Sequence, residues 1–363
     1  MRIALLTYSS KPRGGVVHTL ALAEALAALG QDVTVWTLGR GGDTGFFRPV
    51  HPSVGTVVVP FTDRPDETVG ARVLRSIALL RNAFDPTGYD VVHAQDCISA
   101  NAVERCVRTV HHLDQFTTPE LAACHERAIV TPYAHICVSA AVAAELRGGW
   151  GITATVIPNG VDAARFAAAV PGHWKQELGP FVLTVGGIEP RKGSLELLDG
   201  YAQLPARNPL PRLVIAGGET LFDYRDYRSR WQARADQIGI RPTVLGTVPH
   251  AELPSLVAAA DVFAFPSLRE GFGLAALEAL AAGVPVVVWD RPVAREVYGD
   301  AVRYAADVPA FAAQLDAALT TDDPVRRAAG RALAAHYTWA AAAQAHLELY
   351  ATLQTGRRVA STS

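Results

Sequence analysis

Two glutamates that lie eight residues apart, Glu270 and Glu278, are suited to ligand chemistry. Glu270 stands in a loop after an apolar run, where it can face a ligand. Glu278 lies about one turn into a helical stretch, where its two oxygens can accept from two neighbouring hydroxyls. Between them is a glycine-containing turn whose backbone N–H groups would point at an anion, made of Gly271, Phe272, Gly273 and Leu274. The helix dipole alone favours a glutamate early in a helix, but it does not explain Glu270 or the glycines.

Two neighbouring cations lie in another loop that contains glycine. Arg191 and Lys192 belong to the stretch Glu189-Pro-Arg-Lys-Gly193, between an apolar run and a helical one. The chain has only three lysines, so composition does not explain a lysine in this loop. Lysine acts on phosphate as a point charge, and arginine can bind it through two nitrogens. The pair predicts an anion site, with solvated loop charges as the alternative.

Gly14 and Gly15 form a third candidate loop, after the first apolar run and directly before a helical stretch. The start of a helix offers free N–H groups and a partial positive charge, which suit phosphate. The pattern is not G-x-G-x-x-G, and no Gly-Lys-Ser/Thr follows, so neither the dinucleotide nor the P-loop template fits. Two glycines that only make a tight turn are the alternative.

An alternation of strands and helices must position these loops. Short apolar runs that predict strands fall in two series, within 2–157 and within 181–289, and amphipathic Ala-rich stretches lie between them. This alternation is typical of parallel sheets covered on both faces. We therefore expect two doubly wound, Rossmann-like α/β domains, over 1–165 and 166–339, that face each other across a cleft. Ligands of such sheets bind beyond the carboxyl ends of the strands.

Composition and charge exclude several other classes of protein. A formal net charge of −2 excludes a generally basic protein that binds nucleic acid by bulk electrostatics. Four cysteines without a C-x-x-C pair give neither zinc spacing nor a disulfide framework, which predicts a cytoplasmic location. The short apolar run near the N-terminus predicts a buried strand rather than a signal peptide, and no window approaches a membrane span. No Asp-x-Asp or histidine cluster at ligand spacing is present, so no metal is predicted.

One amphipathic helix keeps a peripheral membrane contact open as an alternative. Residues 71–84 combine an apolar face with three arginines, so an acceptor at a membrane surface can be imagined. Three arginines over about four turns are not a polybasic patch. An ordinary helix with solvated arginines over an apolar sheet explains them more simply.

In combination, these motifs resemble glycosyltransferase family 4, whose members are retaining enzymes with the GT-B fold. The resemblance covers nearly the whole chain and also includes two further stretches: Val156-Ile-Pro-Asn-Gly-Val-Asp162 and Ala281-Ala-Gly-Val-Pro-Val286. The last helix, with Trp339 and Tyr350, is similar to the segment with which the family returns to its first domain. We therefore expect residues of about 340–354 to cross back and 355–363 to form a flexible tail.

The resemblance implies transfer of a sugar, of the hexose type, from a nucleotide-diphosphate sugar to an acceptor, with the anomeric configuration kept and no metal. In this family the glutamate that matches Glu270 lies near the donor sugar, and the one that matches Glu278 holds the ribose. The pair that matches Arg191 and Lys192 binds the diphosphate, to which the backbone at Gly15 also contributes. The nucleotide-sugar is a substrate, so no cofactor is implied.

His111 follows the strand predicted over 108–110 and matches the family's active-site histidine, near the reacting centre. His112 is adjacent, and the alternation of side chains along a strand lets only one of the two face the cleft. Loop histidines without a role are the alternative. Many members carry arginine where this chain has Gly187, which leaves the phosphate geometry open.

Other functions on the same fold remain open. The same phosphate-binding residues would be needed by a sugar phosphorylase, a nucleotide-sugar epimerase or a non-catalytic nucleotide-binding protein. A dehydrogenase is disfavoured, because neither half has G-x-G-x-x-G followed by an acidic residue at the expected distance. These motifs do not identify the sugar, the base or the acceptor, which could be a small molecule, a glycan or a lipid.

Overall fold

The computed structural model describes residues 1–114, 116, 118–218 and 224–361, except for the side chains of 356–361. The chain folds into two compact units, which we call the N-terminal unit (Met1–Gly160 with Tyr337–Ser363) and the C-terminal unit (Val161–His336). It passes from the first to the second at Gly160, within a turn sequence, and rejoins the first at Tyr337. These positions lie a few residues before the expected ones at 165 and 339.

A parallel sheet of seven strands organises the N-terminal unit. Its elements are β1 (Arg2–Leu6), α1 (Gly14–Ala28), β2 (Asp32–Gly39), β3 (Val54–Pro60), α2 (Val69–Ala83), β4 (Val91–Ala94), α3 (Cys97–Ala102), β5 (Val107–Val110), α4 (Pro119–Val130), β6 (Ala134–Cys137), α5 (Ala140–Trp150) and β7 (Thr155–Val156). The strand order is β3-β2-β1-β4-β5-β6-β7. The chain changes direction across the sheet at β1, so the loops after β1 and β4 separate at the carboxyl edge, where such sheets bind ligands.

The C-terminal unit contains a second parallel sheet, of six strands. Its elements are α6 (Ala163–Ala167), α7 (Trp174–Leu178), β8 (Phe181–Val185), α8 (Ser194–Ala202), β9 (Arg212–Ala216), α9 (Arg225–Gln237), β10 (Thr243–Gly246), α10 (Leu253–Ala259), β11 (Val262–Phe265), α11 (Leu274–Ala281), β12 (Val286–Trp289), α12 (Pro292–Tyr298), β13 (Arg303–Ala305), α13 (Val308–Thr320) and α14 (Pro324–His336). The strand order is β10-β9-β8-β11-β12-β13, with the change of direction at β8. The prediction of two doubly wound α/β domains is confirmed.

Several elements differ from the sequence prediction. Strand β13 was not predicted, because it has only three residues at the sheet edge and two of them are partly exposed, so no apolar run marks it. Helix α14 was not predicted either, since it is rich in arginine and buries few residues. Of the helix predicted over 222–238, residues 225–237 are helical, and 222–223 lie outside the described residues.

The last helix, α15 (Trp339–Ser361), belongs to the N-terminal unit. It packs against α1 and buries Ala342, Ala343 and Tyr350 in the core formed by α1 and the sheet. The helix runs beyond the expected end near 354, so most of the segment expected as a tail is helical, and 362–363 lie outside the described residues. Six of the eleven residues 351–361 are alanine, leucine, glutamine or arginine, which are good helix formers, and none is proline, which is compatible with the extension.

Helix α2 carries the three arginines on which the alternative of a peripheral membrane contact is based. Arg75 makes two bonds of 2.6 Å to the Glu67 carboxylate, and Arg81 Nη2 donates to the carbonyl oxygen of Asn101 at 2.5 Å. Arg72 Nη2 donates to the carbonyl oxygen of Glu67 at 3.3 Å, so all three guanidinium groups are engaged within the protein, as in an ordinary surface helix. Among the described residues, we find no helix with the length and apolarity needed to cross a bilayer.

Candidate active site

The predicted cations lie at the carboxyl end of β8. After this strand the chain forms a short 3-10 turn over Pro190–Lys192, and α8 follows. Lys192 Nζ lies 2.8 Å from Glu270 Oε2, and Arg191 Nη1 lies 3.6 Å from the same oxygen. Glu270 follows β11, the neighbour of β8 in the sheet. The structure thus brings together three predicted site residues from two adjacent strand ends.

Gly193 allows these two loops to approach each other. It has a φ of +66°, and a Cβ at this position would collide with the carbonyl oxygen of Pro266. The N–H of Leu268 donates to the carbonyl oxygen of Arg191 at 2.8 Å, which joins the loops directly. The glycine that follows the lysine is therefore required by the packing that places the cations beside the carboxylate.

The Lys192 ammonium group is held by a carboxylate in a largely buried position. Its side chain is 20% exposed, and burial lowers its pKa, while the charge of Glu270 acts in the opposite direction. Arg191 Nη2 lies 3.8 Å from Glu189 Oε1 as well. These carboxylates keep both cations at the strand ends, so an anion that replaces one of the contacts meets positive charge that is already positioned.

The turn between the two glutamates is fixed by Tyr298. Its hydroxyl lies 3.0 Å from the carbonyl oxygen of Phe272 and 3.2 Å from that of Gly273. Gly273 has a φ of +85°, and a Cβ there would collide with the same hydroxyl. Phe272 is buried, so its side chain supports the turn from within. Helix α11 begins at Leu274, and the N–H groups of its first turn have no helical acceptor.

Glu278 lies in the middle of α11 and is partly buried. Burial raises its pKa to about 8, the positive charge of Arg165 acts against this rise, and the negative charge of Asp162 adds to it. Within the described residues its carboxyl oxygens have no hydrogen-bond or ion-pair partner. The group is therefore mostly protonated at neutral pH, and its oxygens are available to a ligand.

The N-terminal unit brings His111 to the start of α1. A Cβ on Gly15 would lie 3.8 Å from His111 Nε2, and Gly14 and Gly15 form the first turn of the helix, where N–H groups are open. His112 is turned elsewhere, with Nε2 3.2 Å from Asp114 Oδ2. The structure therefore places His111, and not its neighbour, beside the glycines.

The ring of His18 lies edge-on to that of His111, with ring centroids 4.7 Å apart. The Nδ1–H of His18 donates to Asn159 Oδ1 at 2.8 Å. Asn159 belongs to the Val156–Asp162 motif and is 141 residues away in the chain, so neither pattern nor spacing could show this contact.

Two more buried histidines, His93 and His346, lie near His18: the ring centroids of His18 and His346 are 6.3 Å apart, and those of His346 and His93 are 5.7 Å apart. His93 Nδ1 is 2.6 Å from the Tyr350 hydroxyl, and its Nε2 is 2.7 Å from Thr109 Oγ1. The Nδ1–H of His346 donates to the carbonyl oxygen of Ala342 at 2.7 Å.

Burial lowers the pKa of all four histidines, to about 3 for His111 and about 4 for His346. The pKa of His93 and that of His18 lie well below the usual range for the same reason. Each is a neutral imidazole at physiological pH. Across the described residues, no group of three or more His, Cys, Asp or Glu side chains is arranged to hold a metal ion.

Two family models match the two halves of the chain. Residues 12–165 match the model described as Glycosyltransferase Family 4, and residues 171–333 match the model described as Glycosyl transferases group 1. With its two Rossmann-like domains, the protein is a glycosyltransferase of the GT-B fold class.

Known proteins agree with this class. The chain is 30% identical to a D-inositol 3-phosphate glycosyltransferase of Xylanimonas cellulosilytica, with 96% of each chain covered. It is 28% identical to a glycogen synthase of Mycobacterium tuberculosis, over 99% of this chain and 96% of the relative. The protein belongs to glycosyltransferase family 4.

Solved structures share the fold at lower identity. A sucrose-phosphate synthase from Thermosynechococcus elongatus has a TM-score of 0.79 and 22% identity, over 98% of this chain and all (100%) of that one. Anabaena HepE in complex with UDP and glucose has a TM-score of 0.73 and 20% identity, over 97% of this chain and 100% of that one.

Proposed function

We propose that this glycosyltransferase moves a hexose from a nucleoside diphosphate sugar to an acceptor hydroxyl in the cytoplasm, keeps the anomeric configuration and needs no metal ion. The observation that carries the proposal is the contact of Lys192 and Arg191 with Glu270 at the ends of two adjacent parallel strands. Open α/β sheets bind ligands at such strand ends. The likeness to HepE, whose structure contains UDP and glucose, supports a nucleotide-sugar donor.

The cations stabilise the leaving group in this proposal. When the bond between the anomeric carbon and the diphosphate oxygen breaks, the diphosphate gains negative charge. Lys192 and Arg191 lower the barrier because they are in place before that charge develops. The N–H groups of the turn over 271–274 add donors for the same anion, and Gly15 offers further N–H donors that suit phosphate.

Retention follows from a same-face reaction. Glu270 Oε2 is engaged by the Lys192 ammonium group and lies close to Arg191, so this oxygen is a weak nucleophile. A double displacement through Glu270 would have to break these contacts first. We propose instead that the acceptor oxygen bonds to the anomeric carbon on the face that the diphosphate leaves. The acceptor proton passes to a diphosphate oxygen.

His111 and Glu278 contact the donor in this scheme. A neutral imidazole next to Gly15 can hydrogen-bond to the donor sugar without adding charge at the reacting centre. The position of His112 against Asp114 supports His111 as the active-site histidine. Glu278 accepts hydrogen bonds from the two ribose hydroxyls.

The decisive variant is Lys192→Ala, with Lys175→Ala as its matched control. Lys175 also pairs with a carboxylate, that of Asp261 at 2.6 Å, but it precedes β8 instead of following it. We expect Lys192→Ala to lower kcat by about 100- to 1,000-fold, the usual loss when one preorganised charge donor is removed. Lys175→Ala should keep kcat within about threefold. Equal losses in the two variants would contradict the assignment.

Binding and product analysis test the reaction class. Calorimetry with UDP, GDP and ADP should detect binding of at least one of these nucleotides. If the protein bound none of them, the proposal would be wrong. Transfer should persist with a chelator present, and NMR of the product should show the anomeric configuration of the donor. Formation of sugar 1-phosphate from phosphate and a glycoside, without nucleotide, would identify a phosphorylase. An epimerised nucleotide-sugar without transfer would identify an epimerase.

A further inference from the structure

Arg165, just after the Val156–Asp162 motif, reaches the loop that follows β10. Its backbone N–H donates to Asp162 Oδ1 at 3.3 Å, which fixes the first turn of α6. Its guanidinium Nη1 lies 2.7 Å from His250 Nε2, and Nη2 donates to the carbonyl oxygen of the same residue. A guanidinium group can only donate, so His250 Nε2 accepts and the imidazole carries its hydrogen on Nδ1.

His250 ends the short segment 246–250 between β10 and α10. This segment follows the carboxyl end of β10, the outermost strand of the sheet, and so lies at the same edge as the loops with Lys192 and Glu270. Strand β10 ends at Gly246, which has a φ of +68°. Because the guanidinium group is planar and rigid, its two bonds fix both the backbone and the side chain of the residue that ends the segment.

Arg165 also acts on Glu278. Helix α6 packs against α11, and the positive charge of Arg165 favours the Glu278 carboxylate, while Asp162 disfavours it. Helices α10 and α14 pack against α11 as well. In α14, Arg331 lies against Gly283, beyond the end of α11, and Arg326 and Arg327 line a cavity with Leu280 near that same end. The charges that act on Glu278 therefore come from α6 and its cap.

We infer that Arg165 is a positioning residue for the nucleoside half of the donor. Through His250 it holds the segment 246–250 in the shape that meets the base, and through its charge it prepares Glu278 for the ribose. The inference rests on the proposed function, since it assumes a nucleoside diphosphate at these strand ends. Arg165 has no contact with the diphosphate or the transferred sugar in this assignment.

The test compares a nucleoside diphosphate with inorganic pyrophosphate, which has no nucleoside. We expect Arg165→Met to weaken binding of the best-bound of UDP, GDP and ADP by at least about tenfold, or about 1.4 kcal/mol. Binding of pyrophosphate should stay within about twofold, which also shows that the site is folded. The KM for the donor should rise by the same factor as the Kd, with kcat within about threefold. The control is Arg327→Met, which removes an arginine paired with Asp322 and should change the binding of neither the nucleoside diphosphate nor pyrophosphate.

A second variant separates the two effects of Arg165. His250→Leu removes the side-chain contact between Arg165 and the segment 246–250 but keeps the positive charge of Arg165. It should therefore weaken binding of the nucleoside diphosphate without moving the pH midpoint of that binding. Arg165→Met should weaken binding and also move that midpoint upward. Unchanged nucleoside binding, or equal losses for nucleoside diphosphate and pyrophosphate, would overturn the inference while leaving the proposed function intact. A native protein that binds no nucleoside diphosphate would overturn both.

Discussion

Raising the pH from 6 to 8 is expected to tighten the binding of a nucleotide-sugar, because in the proposed site Glu278 must lose a proton to accept from two ribose hydroxyls. Its pKa of about 8 in the free protein means that the carboxylate is the minor form at neutral pH. A ligand that needs the carboxylate therefore binds with release of a proton. Affinity rises with pH until the pKa is passed and then levels off.

The size of the effect follows from the fraction of Glu278 that is ionised. With a pKa of about 8, this fraction is about 1% at pH 6, about 9% at pH 7 and about half at pH 8. The Kd should therefore fall about tenfold from pH 6 to 7, about fivefold from 7 to 8, and less than twofold from 8 to 9. The four buried histidines do not contribute, because their pKa values lie below this range.

The measurement is calorimetry with UDP-glucose, whose fully esterified diphosphate lacks the ionisation near pH 6 of a terminal phosphate. Titrations at pH 7 in two buffers of different ionisation enthalpy should report release of about 0.9 proton. Glu278→Gln should bind more weakly at pH 8 and show no pH dependence between 6 and 9. A flat profile for the native protein, without proton release, would refute the reasoning.

Substitutions at three positions also test the structure through the stability of the folded protein. The pKa of Glu278 is raised on folding, so the contribution of its protonated form to the stability of the native protein is lost as pH rises from about 4.5 to 8. Glu278→Gln cannot ionise, so it should unfold at a higher temperature than the native protein at pH 8.5, but not at pH 5. Gly273→Ala should cost about 2 kcal/mol or more, since the Cβ meets the Tyr298 hydroxyl at positive φ, and adding Tyr298→Phe should recover part of the loss in urea unfolding. Tyr350→Phe removes the partner of His93 Nδ1 and should lower the free energy of unfolding by about 1–3 kcal/mol; no change would mean that this buried bond contributes nothing.

The elements that carry the charged loops could be predicted because their patterns are local. Strand β11 is a short apolar run and β8 is one with a single threonine, and both belong to the strand series predicted within 181–289. Lys192 is one of only three lysines in the chain, and the structure places its ammonium group beside Glu270. Parallel strands end at the same edge of a sheet, so loops after neighbouring strands meet even when they are far apart in the chain.

Contacts between distant side chains could not be predicted in this way. Arg165 and His250 are 85 residues apart, and which side chains meet depends on rotamers and on the packing of α6 against α10. His18 and His111 are a second example, since only the fold places the two rings together. Strand β13 left no pattern because an edge strand of three residues needs no apolar run.

The return of α15 to the first unit has a consequence for how the chain folds during synthesis. The core of the N-terminal unit includes Ala342, Ala343 and Tyr350, which leave the ribosome only after the whole C-terminal unit. Domains generally fold as they are made, from the N-terminus onward. Here the first unit must wait for the last helix, with the apolar surface of α1 uncovered in the meantime. A chain that stops at Gly160 would keep that surface exposed, and it should aggregate where the full-length protein does not.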